Sequence, residues 1–196
     1  IYIVLGISIP VIGNLAMPII GFLCGVLTVF AVIIFSNKVD RGLSNNTVIL
    51  AGMVLSLFTS AMLTTVTSIC SEDLKAITMW QMGSFAMKSW SYVLAGIPFL
   101  IIGIFMAVRY TREMDILSFG EDGAKAIGVE TKKVKKTLLV SVAILTGSAV
   151  ALSGVIGFID LITPHIVRKI FGASHKIVIP MCIILGGTLM VLTDLV

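Results

Sequence analysis

Apolar residues in this chain come in long runs separated by short polar stretches. That pattern belongs to a chain that crosses a bilayer repeatedly, not to one folded around a single core in water. Residues 16–35 (AMPIIGFLCGVLTVFAVIIF) and 47–69 (TVILAGMVLSLFTSAMLTTVTSI) carry no charge. Each meets the need for about 20 apolar residues across a hydrocarbon layer of about 30 Å. Residues 91–108, 137–153 and 177–193 repeat the pattern at slightly shorter length. Residues 155–171 (VIGFIDLITPHIVRKIF) form a weaker sixth candidate, interrupted by Asp160 and His165. Residues 1–9 are apolar but too short to span, and read as the tail of a helix. With no initiator Met, basic leader or cleavage site, and with an apolar run still open at Val196, the chain reads as a fragment cut at both ends. The predicted fold class is all-α, a polytopic transmembrane helix bundle of about six full spans plus a partial one, forming one domain over residues 1–196.

The positions of Lys and Arg give these spans a direction, because basic residues are retained on the cytoplasmic side. Lys38 and Arg41 follow the first span. Arg109, Arg112, Lys125, Lys132, Lys133, Lys135 and Lys136 lie between the third and fourth, and Arg168, Lys169 and Lys176 between the fifth and sixth. Only Lys75 and Lys88 of the 14 basic residues fall elsewhere, beside Glu72 and Asp73. Alternate connections are thus basic, which supports the weak fifth span and assigns residues 109–136 to the cytoplasm. Residues 70–90 (CSEDLKAITMWQMGSFAMKSW) face outside and are amphipathic enough for a short helix, with Trp80 and Trp90 suited to the interface.

Composition adds an exclusion. Hydrophobic residues make up 58% of the chain and charged ones 12%, against about 25% charged in soluble domains. Mean hydropathy is +1.12. A soluble fold would lack the polar surface to cover so large a core. The net charge of +4 reports topology and not a nucleic-acid partner, since the basic residues are neither interleaved with aromatics nor gathered on one soluble face. Cys24, Cys70 and Cys182 are far apart and suggest neither a disulfide framework nor a metal site. No Walker A pattern occurs, no nucleophile with a base or metal triad is visible, and no cofactor is implied. Gly21 with Gly25, Ser56 with Ser60 and Gly147 with Ala151 are spaced for close helix packing, more readily within the chain than across a dimer seam.

The polar insert SFGEDGAKAIGVETKK at 118–133 carries the clearest local signal. Ser118 and Glu121 fit a capping box, in which the Ser hydroxyl accepts from the N3 amide and the carboxylate reaches back to the cap amide. Glu121 and Asp122 then sit in the first turn, favoured by the helix dipole. Ala124 and Ile127 fall three apart on one face, and Gly128 is placed to end the helix in a left-handed conformation. A helix of about two and a half turns containing Gly123 does not hold its shape alone in water. From spacing alone it packs either on its own bundle or on a partner.

The run MDILSFGEDGAKAIGV, then LTGSAVALSGVIGFIDLITPHIVRKIFGASHKIVIP, then GGTLMVLTD resembles the cytoplasmic coupling loop and following helices of FecCD-type permeases. LAG at 50–52 and MWQMGSF at 79–85 continue the resemblance more loosely. These permeases are membrane subunits of importers for iron-siderophore complexes, haem and cobalamin, driven by ATP-binding cassette proteins. Members have ten transmembrane helices, so the chain resembles the end of helix three through helix nine. The resemblance implies that Ser118 to Gly128 is the coupling helix received by a groove on the ATPase subunit, with Gly120, Glu121, Ala124 and Gly128 matching the family motif. It also implies partners: a second permease subunit, commonly an identical copy, two ATP-binding cassette subunits and an extracytoplasmic binding protein. That protein meets the outer side, where Glu72 and Asp73 are candidates for its docking or belong to a solvated loop. Asp122 and Gly123 depart from the small helix formers usual after the motif acid.

Asp160 departs too, standing where the family typically has Gly. A carboxylate within a span faces a polar cavity or a partner, so Asp160 either lines the pathway or sits near water at the outer end of its helix. Asp160 and His165 do not share a helix face, which argues against a joint metal site. Pro164 and His165 predict a kink and a buried hydrogen bond near the cytoplasmic end. The function implied is a non-catalytic transport subunit in the cytoplasmic membrane of a bacterium or archaeon. The alternative is an ion- or proton-coupled secondary transporter built on Asp160.

Overall fold

In the computed structural model, residues 16–40, 44–69, 74–83 and 90–195 are described. They form nine helices: α1 (Ala16–Val39), α2 (Asn45–Ile69), α3 (Leu74–Gln81), α4 (Trp90–Arg109), α5 (Thr111–Leu117), α6 (Glu121–Ala126), α7 (Thr131–Ser153), α8 (Ile159–Phe171) and α9 (His175–Asp194). Among the described residues there is no strand. Four of the helices, α1, α2, α7 and α9, are long and apolar enough to cross a membrane. A fifth crossing is supplied by α4, from which α5 bends away by 53° at its end. The chain is a multi-pass membrane protein.

Five of the six anticipated spans therefore appear as helices, α4 among them. The segment 155–171 returns the chain from the end of α7 to the knob end, where α9 begins beside Asp115, but as non-helical backbone followed by a short helix and not as one continuous helix. Gly154 ends α7 with φ 79°, residues 154–157 carry no helix, and Phe158 stands at φ 67° before α8 begins. The resulting 13-residue helix is about 20 Å long, too short for a hydrocarbon layer of about 30 Å. Glycines at 154 and 157 are the physical reason: helix is costly where two of four residues are Gly. The short outer helix anticipated within 70–90 is α3.

The centre of the bundle is α7, which packs on α1 along one side and on α4 along the other. Small residues make both seams. A Cβ added to Gly25 would lie 3.0 Å from the Gly147 Cα, and one added to Gly21 would lie 3.6 Å from Ala151. The two small-residue pairs expected from spacing are thus partners of each other, and their order shows α1 and α7 to be antiparallel. On the other seam a Cβ at Gly103 would fall 2.6 Å from the Leu145 side chain, and the buried Ser141 hydroxyl donates to the Gly103 carbonyl at 2.7 Å. Ser148 and Ser153 are also buried, and each hydroxyl donates to a carbonyl of its own helix at 2.9 Å. Hydroxyls that satisfy themselves in this way are tolerated where no water is available. Ser56 and Ser60, the remaining pair, are exposed on α2 and seal no contact within the described chain.

The chain's last two helices stand apart from this core. α8 and α9 pack on each other as a hairpin, and beyond the hairpin α9 rests chiefly on α5.

Gly25→Leu is expected to destabilise the bundle by at least about 1–3 kcal/mol, because an overpacked side chain meets a backbone that cannot rotate away. Gly21→Ala, whose Cβ finds 3.6 Å of clearance, should be nearly neutral. Thermal unfolding in detergent, followed by size-exclusion recovery of the two variants against the parent, checks the contrast.

Candidate functional site

The polar insert folds into a compact knob where α4 and α7 converge. Tyr110 (φ −105°, ψ 19°) breaks the α4 helix, and α5 leaves at the bend. A turn over Ser118 to Gly120 then reverses the chain into α6. Gly120 has φ 116° and ψ 151°, a region open in practice to Gly alone. At the other end Gly128 has φ 87°, its N–H donates to the Lys125 carbonyl at 3.0 Å, and the Val129 N–H donates to the Ala124 carbonyl at 3.0 Å. This pair of bonds is a Schellman motif, so Gly128 ends the helix as its position in the sequence predicts.

The start of the helix differs from expectation. No capping box forms: Gly120 is the N-cap, the Ser118 hydroxyl donates backward to the Asp115 carbonyl at 2.6 Å, and Glu121 is the first helical residue. The helix is consequently six residues long, not two and a half turns. Glu121 instead forms an ion pair with Lys135 on α7. The side chains are 30% and 12% exposed respectively, so the pair is partly desolvated and braces α6 against α7. Ala124 is 1% exposed and faces the same way. A larger residue there would lift the helix off its support.

Ala124 and Ile127 do not share a face, because the chain has left the helix before Ile127. Ile127 is 66% exposed and Phe119 90% exposed, with the exposed Asp122 and Lys125 paired at 3.3 Å between them. Such a surface pair contributes little to stability. The outward side of the knob therefore presents two large apolar side chains flanking a small charged patch. Phe119 carries only a faint signal in the sequence, that of an aromatic residue alone inside a polar loop.

Behind the knob lies an interaction that sequence spacing did not reveal. Asp115 of α5 accepts hydrogen bonds from the His175 backbone N–H at 2.8 Å and from the Ser174 hydroxyl at 3.2 Å, and its Oδ1 lies 2.5 Å from the His175 ring Nδ1. Arg168 Nη2 stands 3.4 Å from the other ring nitrogen. Asp115 thereby caps the N-terminus of α9 from 60 residues away, which satisfies an amide the helix leaves unpaired and complements its dipole. These bonds hold the Asp115 carboxyl below its ordinary range, the His175 amide contributing most and the His175 ring next, with burial opposing.

The remaining candidates are dispersed. Asp160 is exposed in the first turn of α8, its Oδ1 accepting from the Leu161 N–H at 3.0 Å. Pro164 is partly buried inside α8, and His165 is exposed, so the buried hydrogen bond expected of His165 is absent. The ring points away from the packed side of a helix too short to enclose it. Glu72 and Asp73 lie outside the described residues.

The antiparallel transmembrane bundle with a short loop helix fixed at its end is given a class by comparison with known proteins. Residues 1–196 match the model of the FecCD transport family, and the chain belongs to that family. It is 37% identical over 191 residues to the uncharacterized ABC transporter permease protein YvrB of Bacillus subtilis, covering 97% of this chain and 54% of that one. To the hemin transport system permease protein HmuU of Yersinia pestis it is 31% identical over 192 residues, covering 97% and 57%. A solved chain from an inward-facing conformation of an ABC transporter superposes with a TM-score of 0.83 at 31% identity, covering 98% of this chain and 60% of the other. The chain thus spans a little over half the length of these relatives.

Gly120→Ala should loosen the knob, since a Cβ in that backbone region costs about 1–3 kcal/mol. Gly123→Ala should tighten it by about 1 kcal/mol, because Gly123 is helical with open space around it. Trypsin cleavage at Lys125 in membranes with this loop accessible is expected to rise in the first variant and fall in the second. A carboxyl whose pKa falls on folding stabilises above its unfolded value and loses that contribution as pH drops through the folded one. Asp115→Asn should therefore unfold at lower temperature than the parent near neutral pH, and the gap should close below about pH 4.

Proposed function

We propose that the chain is part of the membrane-spanning permease subunit of an ATP-binding cassette importer for an iron chelate, haem or cobalamin. On this reading the protein lies in the cytoplasmic membrane of a bacterium or archaeon, with residues 109–136 on the cytoplasmic side. Two permease subunits enclose the pathway, two ATPase subunits bind from the cytoplasm and an extracytoplasmic binding protein delivers the cargo. The permease itself performs no covalent chemistry. The names of the relatives support the cargo class, since they include hemin and cobalamin importers.

One observation carries the coupling role. The knob is braced inward by Ala124 and the Glu121–Lys135 pair while it holds Phe119 and Ile127 outward, at the end of the bundle where α4 and α7 meet. A stiff element with exposed apolar side chains is what a cassette protein's groove would grip, because anchors of this kind carry most of an interface's binding energy. Ser118, Gly120, Glu121, Ala124 and Gly128 build the frame, and Phe119 and Ile127 make the contact. The interrupted backbone before α8 supports a pathway role for its surroundings, since irregular backbone at membrane depth is tolerated where it is buried in protein or lines a water-filled cavity. Asp160, exposed in the first turn of that helix, is then a residue of the pathway mouth, with Pro164 and His165 further along the same helix.

The full-length permease, reconstituted with its cassette partner in nanodiscs, provides the test. Phe119→Asp and Ile127→Asp are each expected to weaken permease–ATPase assembly by about tenfold or more, corresponding to about 1.4 kcal/mol. Permease-dependent ATP hydrolysis should fall with assembly while the membrane fold persists. Unchanged assembly and hydrolysis in both variants would remove the coupling assignment.

A further inference from the structure

The described chain consists of two packed bodies, one built by α1, α2, α4 and α7, the other by the α8–α9 hairpin. α5 lies between them. It follows α4, leads directly into the knob, and is the main element outside the hairpin on which α9 rests. The polar connection between α5 and the hairpin converges on one carboxylate. Asp115 Oδ1 takes the His175 N–H at 2.8 Å and lies 2.5 Å from the His175 ring, while Oδ2 takes the Ser174 hydroxyl at 3.2 Å. The main chain of the same residue accepts from Ser118 at the turn into α6. One residue is thus bonded to the knob through its backbone and to α9 through its side chain.

We propose that Asp115 is the positioning residue that transmits displacement of the knob to the α8–α9 hairpin. The argument is mechanical. Hydrogen bonds to a charged acceptor are short and directional, so they hold one helix end in register where greasy contacts would let it slide. The grip is at the N-terminus of α9, one residue beyond the turn from α8, so a shift of α5 acts on both helices of the hairpin together. At the far end of α8 the chain runs through residues 154–158, beside Gly83. A Cβ at Gly83 would stand 3.0 Å from the Val155 carbonyl and 3.1 Å from the Ser153 carbonyl, so the link before α8 is fixed by close backbone contact and the hairpin is tethered at that end only through non-helical residues. Arg168 at 3.4 Å from the His175 ring orients the imidazole from within the hairpin. The proposal rests on the reading of the knob as the ATPase contact.

The experiment uses the full-length permease assembled with its cassette partner in nanodiscs, with Cys24, Cys70 and Cys182 replaced by Ser. Spin labels are attached through Val142→Cys on α7 and Ile184→Cys on α9, both exposed positions. The distance between them is measured without nucleotide and with ATP and vanadate. The parent should show a nucleotide-dependent change. In Asp115→Ala that change should be lost while assembly and permease-dependent ATP hydrolysis stay within about twofold of the parent, a separation that a merely structural residue would not produce. Asp115→Asn, which keeps an acceptor oxygen but loses the charge, should retain part of the change.

A parent-like distance change in Asp115→Ala overturns the proposal. So does parallel loss of assembly, hydrolysis and distance change in both variants, which would make Asp115 a folding residue. If the parent itself shows no permease-dependent hydrolysis, the ATPase-contact reading fails and takes the proposal with it. That failure appears before any substitution at Asp115 and is therefore distinguishable.

Discussion

Close approach of helix backbones is the constraint on which this structure depends. Lipid tails are as apolar as leucine, so helices in a bilayer gain little by hiding apolar side chains from them and are held by packing and hydrogen bonds. The α1–α7 seam meets that requirement with Gly25 against Gly147 and Gly21 against Ala151. On the α4 side Ser141 reaches the Gly103 carbonyl. Because α7 is fixed on both sides, its first turns are a firm base. That base is where Lys135 meets Glu121 and where the knob is fastened.

The same physics explains why the hairpin is a separate body. After Ser153 the helical ladder stops, and the next helix begins only after Phe158, a bulky residue in left-handed backbone. Such a conformation costs of order 1–3 kcal/mol and persists only where surroundings enforce it. Here the backbone near Gly83 packs against the interrupted stretch. An interruption of this kind lets one part of a membrane protein tilt against another without breaking the helices on either side.

Much of the architecture was legible from residue order. Long uncharged runs gave α1, α2, α4, α7 and α9, the alternation of basic connections agreed with the antiparallel seams, and small-residue spacing anticipated the α1–α7 contact. The 155–171 segment runs back across the bundle as its apolar pattern predicts, but hydropathy does not show that glycines, apolar enough for lipid yet poor in helices, break it into a loop and a short helix. At the knob, the left-handed role of Gly128 is local and so is legible in the sequence. A capping box is also a local pattern and pairs Ser118 with Glu121 on paper, but Gly120 between them adopts a backbone that turns Ser118 away and leaves Glu121 to Lys135. Nothing in the order of residues pairs Asp115 with His175. Contacts over 60 positions are set by how the bundle folds, not by spacing.

The glycine frame of the knob divides its residues into two kinds. Gly120, Ala124 and Gly128 determine the shape and admit almost no change. Phe119, Asp122, Lys125 and Ile127 point into solvent and contribute almost nothing to that shape. On the proposed coupling role, the contact surface is therefore free to vary over a fixed mount. If the knob meets an ATPase as proposed, exchanging a few outward side chains rematches the protein to a different motor with no adjustment to the helices behind it.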